Sequence, residues 1–161
     1  MGLDFGIEVK FKNKKTGESI TFEIAYWRKF WTLRDEVLRL FGKSTDEYLT
    51  IIKPEDLRKI IKLLAEAIVD RDNEMFHDSV WGGNRGRRIT AYQIERLCFW
   101  DSLFESLLWI KEDKDETRRK QTIDDLEIDE RYFYDESSEE LEYILMNIED
   151  YDITIEIYNS Y

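Results

Sequence analysis

Four groups of residues in this chain carry side chains that could do chemistry. Asp101 and Glu105 stand one helical turn apart. A carboxylate pair can move protons or hold Mg²⁺, but no third ligand follows at a telling spacing, so the spacing reads as a solvated stripe. His77-Asp78-Ser79 names the three residue types of a hydrolytic triad. A triad is assembled in space rather than along a tripeptide, and no nucleophile elbow is present; the expectation is a solvent-exposed loop histidine. Trp81-Gly82-Gly83-Asn84-Arg85-Gly86-Arg87-Arg88 joins backbone freedom to three guanidinium groups. It lacks the Gly-Lys-Ser/Thr ending of a phosphate loop. Trp81, Arg85, Arg87 and Arg88 could line a site for a nucleotide phosphate, or the loop could dock on the acidic part of the same chain.

The fourth group is the largest. Asp124 to Glu142 holds ten acids against one base, Arg131. Asp125, Glu127, Asp129 and Glu136 fall on positions 1, 3, 5 and 12 of a calcium loop, but Glu130 replaces the glycine that turns such a loop sharply; the match is read as chance. Leu126, Ile128, Tyr132, Phe133 and Tyr134 are threaded through the acids. A purely solvated tail has no use for them, so the stretch reads as an ordered acidic face anchored to a core. Its candidate partner-binding residues are Asp124, Asp125, Glu127, Asp129, Glu130, Tyr132, Tyr134, Asp135, Glu136 and Glu139.

The charge is unevenly spread. The chain has 161 residues and a net charge of −12. Residues 112–161 hold 18 acids and 5 bases, while residues 1–111 hold 18 acids and 19 bases. Such a face repels nucleic acid and attracts basic protein surfaces. A single cysteine, Cys98, leaves no internal disulfide and no cysteine-based zinc site. No apolar run approaches the ~20 residues of a membrane helix, and no signal-peptide pattern opens the chain. Gly6 stands where a myristoylation signal at Met1-Gly2 needs Ser or Thr. No metal or cofactor is expected.

The elements that would position these groups follow from periodicity. Phe5, Ile7, Val9 and Phe11 alternate with Gly6, Glu8, Lys10 and Lys12, and Ile20, Phe22, Ile24 and Tyr26 alternate with Thr21, Glu23 and Ala25. With a turn at Asn13–Gly17 this is a β-hairpin. Around the Tyr26-Trp27-Arg28-Lys29 junction the aromatics read as core and the bases as surface. Helical spacing follows in Phe30, Leu33, Val37, Leu38 and Phe41, stopped by Gly42. Residues 48–52 form a short strand or connector. Pro54 opens a helix reaching about Asn73 on Leu57, Ile60, Ile61, Leu64 and Ile68. Thr90 and Gln93 form a capping box before a helix from Leu97 to Ile110 that is apolar nearly all round. That helix is central in the core or a homodimer interface. Asp115/Arg119 and Glu116/Lys120 are i,i+4 pairs that would carry it toward Lys120. Ser137 and Glu140 cap a helix to about Glu149, and Ile153, Ile155 and Ile157 mark a last strand. The expected class is α+β in one domain: a three-stranded antiparallel sheet, hairpin plus C-terminal strand, packed against four or so helices.

Met1-Gly2-Leu3-Asp4, the Tyr26-Trp27-Arg28-Lys29 junction with Leu33 after it, a Leu57-type helix, Tyr132-Phe133-Tyr134-Asp135, Leu141 to Ile148 and the closing Ile157-Tyr158-Asn159-Ser160-Tyr161 together form a pattern. It resembles a group of small phage- and prophage-encoded proteins of undefined function. Residues 77–123 fall outside the resemblance. What it implies is context: a protein of the host-cell cytoplasm, not an enzyme, that binds a host protein. Anti-CRISPR and other anti-defence proteins of this kind can offer carboxylates in place of nucleic-acid phosphates. The partner implied is a defence enzyme with a basic nucleic-acid-binding surface. A nucleotide-sequestering binder using the Trp81–Arg88 loop, and an oligomeric phage assembly protein, are the alternatives.

Overall fold

Alternation of buried and exposed residues builds the sheet. In the computed structural model, which describes residues 3–43, 49–70, 72–81, 85–133 and 137–160, β1 (Asp4–Asn13) pairs antiparallel with β2 (Ser19–Arg28). The Asn13 side chain accepts the N–H groups of Lys15 and Thr16, and Gly17 takes φ +76° to turn the chain back. Phe5, Ile7, Val9 and Phe11 are buried on one face.

The second strand departs from simple alternation. Ile7 faces Ala25 but Glu8 faces Glu23, so Ile24 is an extra residue, a β-bulge. Beyond it the faces exchange: Ala25 and Trp27 turn into the core and Tyr26 turns out. The expected inward position of Tyr26 is therefore corrected, because one inserted residue flips every later side chain.

Among the described residues the sheet has four strands rather than three, in the order β2-β1-β4-β3. β4 (Tyr151–Ser160) lies along the whole of β1, and β3 (Leu49–Ile51) adds to the other side of β4. Among the described residues six α-helices supply the second layer: α1 (Trp31–Leu40), α2 (Pro54–Val69), α3 (Glu74–Trp81), α4 (Ala91–Glu112), α5 (Glu116–Asp124) and α6 (Ser137–Met146). Their apolar stripes join the inward sheet residues in one core. The opposite sheet face carries Glu8, Lys10, Glu23 and Glu156.

Three helix limits differ from the periodicity. α2 stops at Val69, with Asp70 extended; the Asn73 side chain then accepts the Met75 N–H and α3 begins. His77-Asp78-Ser79 is therefore helical rather than loop. His77 is exposed, and the buried Ser79 hydroxyl accepts the Ile89 N–H at 2.7 Å. α4 keeps its Thr90/Gln93 capping box but ends at Glu112. Asp115 caps the new helix α5 by accepting the Arg118 N–H. Arg119 consequently pairs with Glu149 instead of Asp115, while Glu116–Lys120 forms at 3.4 Å. α6 ends at Met146, and a 3₁₀ turn over Ile148–Asp150 leads into β4.

Candidate partner-binding face

α4 explains why the acidic stretch is ordered. Its Leu97, Trp100, Phe104 and Leu107 are buried, and its apolar girdle leaves a second side to be covered. The segment 125–133 runs back along that side as a strap. Leu126, Ile128 and Phe133 pack on the core, and Tyr132 is buried. Phe99 stacks on Tyr132 at 5.2 Å between centroids and meets Phe133 edge-on at 5.7 Å. Phe133 also lies 5.1 Å from Trp100. Such ring pairs contribute about 0.5–1.5 kcal/mol each beyond the area they bury.

Polar bonds pin the same segment. The buried Arg96 guanidinium donates from Nε to the Tyr132 carbonyl at 3.1 Å and from its terminus to the Glu23 carbonyl of β2. Tyr92 donates its hydroxyl to the Arg131 carbonyl at 2.7 Å. Leu126, Ile128, Tyr132 and Phe133 are thus anchors to the chain's own core, as their pattern predicts. Tyr132 serves inward and is not a free anchor for a partner.

The acids divide into two classes. Asp129 is gripped by Arg131 at 2.7 Å, and that guanidinium holds its carboxyl below the usual range. Farther on, Glu149, Asp150, Asp152 and Glu156 pair with Arg119, Lys15, Lys111 and Lys10. Asp124, Asp125, Glu127, Glu130, Glu139, Glu140 and Glu142 are exposed. Among the described residues none of these seven has a cation within ion-pair distance; Asp125 accepts only the Gln121 amide, at 3.0 Å. The strap and α6 therefore present unneutralised charge, while neighbouring acids are balanced. Tyr134, Asp135 and Glu136 lie outside the described residues.

No family model, curated protein or solved structure matches this chain.

Two exposed apolar residues on α6 escaped the sequence reading. Tyr143 is 59% exposed and Met146 84%. The signal was present: both fall opposite the buried Leu141, Ile144 and Leu145 on a 3.6-residue repeat.

The other candidate groups resolve differently. Asp101 and Glu105 are not a solvated stripe, because Arg58 of α2 binds both, Asp101 at 3.1 Å. Asp101 is buried, and desolvation lifts its carboxyl against the opposing pull of Arg58. Trp81 closes α3, and Arg85–Arg87 form a 3₁₀ turn that packs on α3 and β2. Arg88 is exposed, and the buried Arg87 Nε meets no acceptor among the described residues. The side chains of Trp81 and Arg85 are outside the described set. Among the described residues no group of three or more His, Cys, Asp or Glu is placed to hold a metal ion, and no helix is long and apolar enough to cross a membrane. The Leu97–Ile110 girdle of α4, a candidate dimer interface, packs on α2, the sheet and the strap, and leaves Cys98 and Trp109 exposed.

Proposed function

We propose that this chain acts by occupancy, as a binding protein that blocks the basic surface of a nucleic-acid-handling enzyme. The resemblance to phage proteins makes a host defence enzyme, such as a CRISPR effector, the target. The observation that carries this reading is the set of seven exposed carboxylates that have no cation among the described residues: Asp124 at the end of α5, Asp125, Glu127 and Glu130 on the strap fixed by Arg96 and the Phe99–Tyr132–Phe133 rings, and Glu139, Glu140 and Glu142 on α6. Lysine- and arginine-lined channels built for phosphates also attract clustered carboxylates, with strong salt dependence. A fixed strap adds affinity because little order is lost on binding.

The test is affinity capture from host lysate with tagged protein, beside a variant carrying Asp124→Asn, Asp125→Asn, Glu127→Gln and Glu130→Gln. The reading expects a nucleic-acid-handling enzyme with the parent chain and its loss or marked depletion with the variant. Equal recovery and equal inhibition by both chains would sink the acidic-face mechanism.

The Arg87 Nε, which meets no acceptor among the described residues, favours a second reading, a small anion such as a cyclic nucleotide held by Arg87 and Arg88. Calorimetric titration against the common cyclic nucleotides decides it; no heat with any of them rejects it.

A further inference from the structure

We propose that Asp113–Asp115 is a hinge across which this chain exchanges its C-terminal elements with a second copy of itself. In that dimer α5, the strap, α6 and β4 of one copy complete the core of the other. The inference does not depend on what the acidic face binds.

Nothing in the backbone obliges α4 to stop at Glu112. Neither glycine nor proline occurs between Ala91 and Asp124, and only Asp113, Lys114 and Asp115 leave the helical path there. Two side chains hold the break. Asp113 accepts Arg118 Nε at 2.6 Å, the terminal guanidinium nitrogen at 2.7 Å and the Asp115 N–H at 3.0 Å. Asp115 accepts the Arg118 N–H at 3.2 Å. No side chain of α5 is fully buried, so packing does little to fix its direction. When those bonds open, α4 can run on into α5.

The contacts divide at this hinge. Beyond it, Arg119 pairs with Glu149, and Ile123 shares a groove with Leu145 and Ile148. α5 and α6 therefore travel together. The two sides are joined by β4, which pairs with β1 and β3, and by the strap, which Arg96 and Phe99 of α4 hold. A second copy offers the same β1, β3 and α4. Each of these contacts is remade between copies, and the loss is confined to the hinge. Exchange of an identical element is a low-cost route to a dimer. The product carries two acidic faces, each a strap from one copy laid on α4 of the other. Two linked faces hold a target with two basic sites more tightly than one.

A disulfide reports the exchange. Lys12 and Asp152 are exposed register partners on β1 and β4. Lys12→Cys with Asp152→Cys, in a Cys98→Ser background, closes within one chain in the monomer and between chains in the exchanged dimer. Refolding at high concentration should yield a slowly separating dimer on size exclusion, and a non-reducing gel should show its chains linked. Asp113→Ala with Asp115→Ala removes the acceptors that hold the break and should raise the dimer fraction about tenfold. Two glycines inserted after Lys114 lengthen the hinge and should leave only monomer. Monomer alone from both the unaltered hinge and the alanine variant overturns the proposal. So does a dimer whose added disulfide stays within each chain. Should the alanine variant fail to fold by circular dichroism, the other two chains decide, and equal dimer fractions from them overturn it.

Discussion

Glu8 sits on the central strand with Glu23 facing it on one side and Glu156 on the other. Burial first, then Glu156 and Glu23, push its carboxyl up, and Lys10 opposes them. Its ionised form is the strained one, so its contribution is most favourable at low pH and is lost as pH rises through the raised folded value. Glu8→Gln should therefore raise stability at neutral pH by roughly 0.2–1 kcal/mol, the scale of a like-charge cross-strand pair. The gain should vanish in acid, read as converging urea midpoints. Asp113 runs the other way. Arg118 and the Asp115 N–H hold it down to about 2 from an ordinary 3.8. Its stabilisation is present above the ordinary value and is lost as pH falls toward 2. Urea midpoints of the parent chain should drop across that window, and those of Asp113→Asn should drop less. Gly6 is required by its neighbour: a Cβ there would stand 2.5 Å from the Tyr158 ring, whose hydroxyl reaches Glu23 at 3.1 Å. Gly6→Ala should cost stability in the parent chain and markedly less beside Tyr158→Ala, as a double-mutant cycle of melting curves would read.

At the scale of elements, Arg96 links α4 to both the strap and β2. Arg96→Met leaves two carbonyls without that donor and should cost about 1–3 kcal/mol. It should also raise hydrogen exchange at Tyr132 and Phe133 before the sheet responds; unchanged protection there would show that the rings alone hold the strap. The elements legible in sequence were those fixed by local rules. The alternation of Phe5 to Phe11, the Asn13–Gly17 turn, Pro54 and the Thr90 cap each act within a few residues. What escaped depended on partners distant in the chain. The bulge at Ile24 shows only once Glu8 is paired with Glu23. The α4–α5 break follows from Asp113 taking Arg118 and Asp115 capping a new start. Arg58 claims Asp101 across 43 residues, so no local pattern reveals that bridge. For the candidate face, the acids and their anchors were readable from composition. Which acids remain unpaired, and that Tyr132 turns inward, were not.

Over the whole molecule, charge is sorted by position in the chain: net −13 over residues 112–161 against +1 before them. A surface of one sign speeds encounter with an oppositely charged one and loses that advantage in salt. Association with a basic partner should therefore slow as ionic strength rises. Neutralising Asp124, Asp125, Glu127 and Glu130 should lower the association rate more than it raises the dissociation rate, a split that stopped-flow mixing resolves.

The last strand lies inside the sheet, flanked by β1 and β3. Ile7 and Ile157 are partners although nearly the whole chain separates them. During synthesis the first hairpin must wait for that partner. At ribosomal speeds the interval is roughly ten seconds, far longer than a hairpin or helix needs to form. Through that time Phe5, Ile7, Val9 and Phe11 have no β4 beside them. The nascent chain thus offers an uncovered strand edge to chaperones and to its neighbours on the same message. Yield in the cell should consequently depend on how quickly translation reaches β4.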